Sequence, residues 1–177
     1  MAGSLNCNSV SGLCVDAVNF AVMPLTPPDS QPTVFTMPTP IDTISTVIPT
    51  MRYDDAKAAI DWLCDTFGFT RHLVVEDDAG GIAHAQLRFG NGMIMLGSAR
   101  DDEFVRLQQP PTADAVTQSP YIVVSDIDEH YARAVAAGAT IAIEIKDEDY
   151  GGRVYSCHDP QGQLWSFGNY DPWQTEA

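Results

Sequence analysis

The stretch Cys157–Phe167 reads CHDPQGQLWSF and consists of a tight turn that leads into an apolar strand. Asp159 and Pro160 are residue types that open such a turn, and Gly162 supplies the positive φ that other residues resist. The turn predicts a hairpin, and it is the reference point from which the rest of the chain is aligned.

The order of elements that ends at this turn occurs twice in the chain. In each half, a short extended run is followed by a helical pattern and three more β-like runs. The helix-ending glycines Gly68 and Gly138 are 70 residues apart, and so are the last-hairpin glycines Gly92 and Gly162. Two independent landmarks at one offset indicate a duplicated βαβββ unit.

Two segments have the pattern of amphipathic helices. In residues 54–69 the apolar side chains recur at helical spacing, and Asp54 or Asp55 can cap the start. Residues 126–139 begin with Asp126 and Glu129 at the spacing of a capping box. His130 lies on this second helix and is expected at the surface.

Each βαβββ unit has one helix to cover one face of its sheet, so the other face is bare. Pairing two units curls the sheets toward each other and encloses a cleft. The sequence therefore predicts an α+β fold with two tandem βαβββ modules in a curled mixed sheet around a cleft. A single domain spans residues 45–177, with module 1 at about 45–99, a linker at 100–118 and module 2 at about 119–171.

The first 44 residues differ from this domain. All nine Lys and Arg residues lie at Arg52 or later, and the segment is rich in Pro, Ser and Thr. It therefore has neither the basic n-region of a secretion signal nor the arginines of a mitochondrial transit peptide. The composition predicts an extended or disordered N-terminal tail over residues 1–44.

The net charge and the cysteine content limit the classes of binding partner and the cellular compartment that we expect. A net charge of −15 excludes a general nucleic-acid binder, because phosphate would be repelled, and it favours a cationic ligand. The four cysteines show no CxxC spacing, which fits a reducing cytoplasm. No uncharged run is long and Pro-free enough to span a bilayer. We expect a cytoplasmic protein without nucleic-acid or membrane partners.

Three stretches together resemble the vicinal oxygen chelate superfamily, which holds glyoxalase I, extradiol dioxygenases and bleomycin-resistance proteins. They are MRYDDAKAAIDWLCDTFGF, YIVVSDIDEHYARAVAAGA and CHDPQGQLWSFG. The resemblance implies paired βαβββ modules around a cleft, usually in a homodimer. It also implies, for metal-using members, His, Gln or Glu ligands on the first and fourth strand of each module.

The positions that match those ligands carry other residue types here. Alignment on the repeat and on the closing turn places them at Ile48, Met95, Ser119 and Ser166. Ile and Met do not serve a hard divalent ion, and two serines alone are too weak to hold one. The resemblance is therefore closest to the metal-free, bleomycin-resistance-like branch, and we expect no metal ligands and no cofactor.

Strand side chains alternate, so residues in phase with these positions are expected to face the cleft. The predicted ligand-binding residues are Ile48, Thr50, Arg52, Met95, Ser119, Tyr121 and Ser166. This set is apolar with a few hydroxyls and one guanidinium, which is typical of a small-molecule site.

Three functions compete for this site. The first is a homodimeric protein of the bleomycin-resistance type that binds or sequesters a small cationic or aromatic molecule. The second is an enzyme of the superfamily, a lyase, isomerase or dioxygenase that acts metal-free or with displaced ligands. In it Arg52 polarises an oxygen and Tyr121 donates a proton. The third is a structural or regulatory partner with a vestigial cleft.

Overall fold

The computed structural model describes residues 45–112 and 115–174 of the chain. The predicted N-terminal tail, residues 1–44, lies outside the described residues.

Module 1 consists of β1 (Thr50–Tyr53), α1 (Ala56–Trp62) with a π-helical last turn (Leu63–Phe67), β2 (Thr70–Glu76), β3 (Ile82–Phe89) and β4 (Gly92–Ser98). Module 2 consists of β5 (Tyr121–Val123), α2 (Ile127–Ala136), β6 (Thr140–Asp147), β7 (Arg153–His158) and β8 (Leu164–Gly168). Short 3₁₀ helices lie at Glu103–Arg106 and Pro172–Gln174.

The eight strands form two four-stranded sheets with the same topology. Their strand orders are β1-β4-β3-β2 and β5-β8-β7-β6, and in each sheet the first strand runs parallel to the fourth. Thr50 pairs with Met95 in the first sheet, and Tyr121 pairs with Ser166 in the second. The two pairs are equivalent, because Tyr121 follows Thr50 by the same number of residues as Ser166 follows Met95. The predicted α+β fold with two βαβββ modules is confirmed.

Both helices begin and end as their sequences predict. Asp55 accepts a hydrogen bond from the backbone N–H of Ala58, and Asp126 accepts one from that of Glu129, each at 2.9 Å. The chain leaves each helix near a glycine with a φ close to +85°, Gly68 at 86° and Gly138 at 85°. No helix among the described residues is long and apolar enough to cross a membrane.

One hydrophobic core lies on the helix-bearing sides of the two sheets. The last turn of the first helix inserts Phe67 against module 2, with its ring centroid 4.6 Å from that of Phe167 and 5.6 Å from that of Trp165. All three side chains are fully buried. The modules are therefore joined by shared aromatic packing and not only by the linker.

The turn at Asp159 ties the two modules together through a buried carboxylate. One oxygen accepts hydrogen bonds from the Tyr53 hydroxyl at 2.7 Å and from the Trp165 indole N–H at 3.0 Å. The other accepts the backbone N–H groups of Gln161 at 3.0 Å and Gln163 at 3.1 Å. Asp159 is only 5% exposed, and four donors compensate its burial.

His130 is buried, so the expectation that it lies at the surface is wrong. Its exposed fraction is 3%, and its ring contacts the Tyr155 hydroxyl at 2.7 Å and the Phe67 carbonyl oxygen at 3.3 Å. These partners come from β7 and from the first helix, and they give both ring nitrogens a partner inside the core. Burial lowers the pKa of His130 to about 4.

We expect Asp159→Asn to lower the free energy of unfolding by about 3 kcal/mol. The NH₂ group of asparagine would face hydrogen-bond donors where the carboxylate oxygen now accepts from them. Tyr53→Phe removes one donor and is expected to cost about 1 kcal/mol. Urea unfolding monitored by tryptophan fluorescence measures both. Asp78→Asn, at an exposed aspartate, is the control and should stay within about 0.5 kcal/mol of the parent. An equal, small effect at positions 159 and 78 would show that the turn does not hold the modules.

We expect His130 to make the protein less stable as the pH falls from 6.5 toward 4. The unfolded chain protonates this histidine near its ordinary pKa of 6.5, whereas the folded chain does so near 4. The contribution is fully present above pH 6.5, and about 3 kcal/mol of it is lost by pH 4. Denaturant unfolding across this range should show a shallower pH dependence for His130→Gln than for the parent. His72→Gln, at an exposed histidine, should follow the parent; parallel curves for all three proteins contradict the assignment.

Candidate functional site

Alternate residues of module 1 form an open sheet face opposite the buried core. Thr50 and Arg52 lie on this face, while Met51 and Tyr53 between them are buried. Strand pairing extends the face to Met95 on β4. On β3 the partners that continue the same face are Gln86 and His84.

The corresponding face of module 2 is built from Tyr121, Ser166 and Ser156, which pair across three strands. Ser156 and Ser166 share a hydrogen bond of 2.9 Å between their hydroxyls. Two predicted site residues lie outside the strands, since Ile48 and Ser119 each come two residues before their strand begins. Ile48 is half-buried and Ser119 is exposed.

Arg52 is held against the face of module 1. Its guanidinium donates to the backbone carbonyl of Ser98 at 3.3 Å and lies 5.1 Å from the centre of the Phe104 ring in the linker. The absence of a side chain at Gly97 makes room for it, because a Cβ there would be 2.9 Å from the guanidinium. The group is thus positioned before any ligand arrives.

Tyr121 lies over a second glycine. A Cβ at Gly168 would fall 2.2 Å from the Tyr121 hydroxyl oxygen, so only glycine allows the ring to lie there. The hydroxyl donates to the backbone carbonyl of Tyr170 at 3.0 Å. Burial is the main cause that raises the pKa of Tyr121. The group therefore keeps its proton and has a fixed acceptor.

The outer edge of β1 is closed by side-chain amides from two other parts of the chain. The Gln108 amide in the linker donates to the Thr50 carbonyl at 2.5 Å, and the Gln163 amide of module 2 donates to the Arg52 carbonyl at 3.0 Å. These contacts fix the linker and the β7–β8 turn beside the first strand.

Comparison with known proteins places the chain in a family. The profile of the glyoxalase/bleomycin resistance protein/dioxygenase superfamily matches residues 43–167. The chain belongs to this superfamily. The resemblance to the superfamily seen in the sequence is thereby confirmed.

Relatives at about one-third identity cover most of the superfamily domain. The uncharacterised proteins Mb0911c of Mycobacterium bovis and Rv0887c of Mycobacterium tuberculosis are each 31% identical over 121 residues, which is 68% of this chain and 80% and 71% of theirs. The solved structure of TioX from Micromonospora is 31% identical, covers 72% of this chain and 99% of its own, and superposes with a TM-score of 0.58.

A more distant solved structure shares the fold alone. FosX, a fosfomycin resistance protein of Listeria monocytogenes solved with Mn(II) and a dihydroxypropylphosphonic acid, is 13% identical with a TM-score of 0.54. It covers 72% of this chain and 93% of its own.

The residues that the sequence alignment assigns to the superfamily metal positions are of types that do not fit a divalent cation. They are Ile48, Met95, Ser119 and Ser166, of which Ser166 is already hydrogen-bonded to Ser156. In residues 45–112 and 115–174 there is no group of three or more His, Cys, Asp or Glu side chains that could hold a metal ion. The ring of His84 is hydrogen-bonded to the side-chain amide of Gln86 at 3.0 Å, and this pair contains no carboxylate that could serve as a further metal ligand.

The two candidate catalytic residues line separate cavities of the single chain. Arg52 lines cavities of about 770 and 210 Å³, whereas Tyr121 lines one of about 580 Å³ that also contains Met93 and Trp173. The smaller Arg52 cavity brings together Thr50, Met95 and Phe104. Three of the four residues predicted for module 1, Thr50, Arg52 and Met95, thus line one cavity, and Ile48 is not among its lining residues.

Sequence reasoning missed several residues of the module 1 face. His84 and Gln86 follow from strand alternation once the pairing of β3 with β4 is known, so the signal was present in the sequence. Phe104 and Gln108 lie in the linker, which has no periodic pattern. Their position beside β1 depends on packing that local sequence does not encode.

Proposed function

We propose that the protein is a homodimer that binds a small molecule on its open sheet faces without a catalytic metal. Such a protein would bind and sequester a small cationic or aromatic compound, and the superfamily to which the chain belongs includes bleomycin resistance proteins. The free thiols of Cys64 and Cys157 are compatible with a cytoplasmic location.

Exposed apolar side chains on the open faces are the observation that carries this proposal. In module 1, Leu73 and Val75 pair with Gln86 and His84 on the same face and are 43% and 42% exposed. In module 2, the exposed fractions of Val123 and Ile143 are 40% and 50%. Apolar patches of this kind on a folded domain mark interaction sites.

A second copy of the chain is the simplest partner for these faces. Each chain carries two of them, and a twofold axis brings two pairs of faces together in a closed assembly. The space left between the faces would be lined by methionine, serine and tyrosine side chains. Methionine adapts to irregular ligands, and tyrosine offers a stacking surface with a polar tip.

We expect light scattering to give twice the 19.2 kDa mass of one chain. Val75→Glu and Ile143→Glu each place a charge on one open face, and each should weaken dimerisation at least tenfold because the charge must lose its water. Val135→Glu adds the same charge at a residue of α2 that is 47% exposed, and it should leave the dimer intact. A monomeric parent at tens of micromolar, or equal effects of all three changes, contradicts the proposed dimer.

We expect saturable binding of at least one compound from a set containing bleomycin and small aromatic acids, bases and neutral molecules. Met95→Trp fills the module 1 face and should weaken that binding at least tenfold, whereas Val135→Trp on α2 should not. Calorimetry on protein treated with EDTA should give the same Kd as on untreated protein, since no metal takes part. Loss of binding after EDTA treatment would refute the metal-free proposal, and binding of no compound would refute the binding function.

A further inference from the structure

A cavity of about 770 Å³ lies between the linker and β1, and its charge is unusual for this protein. Two arginines, Arg52 and Arg106, line it together with the amides of Gln108 and Gln163, and there is no Asp or Glu among the lining residues that the structure describes. This volume lies within the range of small-molecule sites. The whole chain, in contrast, has 24 acidic and nine basic residues.

The two arginines also differ from most other cations of the domain. Five other basic residues form ion pairs: Lys57 with Glu76, Arg71 with Asp61, Arg100 with Asp102, Lys146 with Glu148, and Arg153 with Asp128 and Asp147. Among the residues that the structure describes, neither Arg52 nor Arg106 has a carboxylate at ion-pairing distance. Two unneutralised guanidinium groups therefore face one cavity.

The contacts around Arg52 make this a built site. Its guanidinium is hydrogen-bonded to the Ser98 carbonyl and lies over the Phe104 ring, in space that is open because Gly97 has no side chain. The linker that carries Arg106 is fastened to β1 by the hydrogen bonds from Gln108 to the Thr50 carbonyl and hydroxyl. An arginine fixed in this way loses little conformational entropy when it binds a ligand.

The cavity adjoins the open face of module 1. Thr50, Arg52, Phe104 and Gln108 line both the 770 Å³ cavity and the 210 Å³ cavity that contains Met95. A ligand with a charged end and an apolar body can therefore occupy both, with its charged end at the arginines.

We propose that this site takes an anionic ligand, a carboxylate or phosphate carried on a small apolar body. This inference rests on the proposed binding function and names its ligand class. The net charge of −15 favours a cationic ligand, but the charged groups among the described lining residues of this cavity are two arginines. Planar guanidinium groups match carboxylate and phosphate oxygens in pairs of hydrogen bonds, which single out oxyanions from neutral and cationic molecules.

Four naphthalene compounds with the same ring test the charge preference. They are 1-naphthoate, 1-naphthyl phosphate, 1-naphthalenemethanol and 1-naphthylmethylammonium, titrated by calorimetry into the whole chain of 177 residues. The Kd of at least one of the two anions should be at least tenfold lower than the Kd of the neutral compound and of the cationic compound. A tighter carboxylate or a tighter phosphate identifies which oxyanion the site takes.

Matched arginine variants locate the binding. Arg52→Gln and Arg106→Gln should each weaken anion binding by about 10- to 100-fold, the loss expected for a charged hydrogen bond. Arg71→Gln removes the same charge from an exposed residue of β2 that is bonded to Asp61 of α1 and does not line this cavity, and it should change the Kd less than twofold. Equal losses at residues 52, 71 and 106 would overturn the assignment to this cavity.

The titrations separate this inference from the proposed function. If the neutral or cationic compound binds as tightly as the anions, and Met95→Trp abolishes that binding, the anionic preference is wrong and the binding function stands. If none of the four compounds, and none of the wider set, binds saturably, both are wrong.

Discussion

The carboxylate of Asp159 is the constraint on which the rest of the structure depends. It holds the end of β1 through Tyr53 and the start of β8 through Trp165, so one buried charge joins the first strand of one module to the last hairpin of the other. The aromatic core around Phe67 forms between the same two modules. Because four donors satisfy the carboxylate, a residue type that is costly to bury stabilises a defined arrangement of the two sheets.

The fold was predictable because its signals are local and occur twice. Helix spacing, capping aspartates and glycines at a constant offset specify each βαβββ unit without knowledge of the other. Strand alternation then placed Thr50, Arg52, Met95, Tyr121 and Ser166 on the open faces. It did not show where the two first strands begin. The carbonyls of Pro49 and Pro120 accept the first hydrogen bonds of the parallel ladders, and β1 and β5 begin at the residues that follow. Ile48 and Ser119 therefore lie outside these strands.

The remaining features depend on contacts between distant residues. His130 has a polar side chain on a helix whose outer side is exposed, and its burial follows from the Tyr155 hydroxyl and the Phe67 carbonyl, which lie far away in sequence. The linker gives no periodic signal, yet it supplies Phe104, Arg106 and Gln108 to the cavity beside β1. Overall charge was a poor guide to this cavity, since its described lining residues carry two arginines and no carboxylate.

The two glutamine amides at β1 limit how this protein can assemble. Outward-facing carbonyls of an edge strand normally offer a template on which a strand from another chain can continue the sheet. At Thr50 and Arg52 those acceptors are already occupied by Gln108 and Gln163. Continuous intermolecular sheets, and the fibrous aggregates that grow from them, are therefore blocked at this edge, and association is directed to side-chain surfaces where shape and charge select the partner.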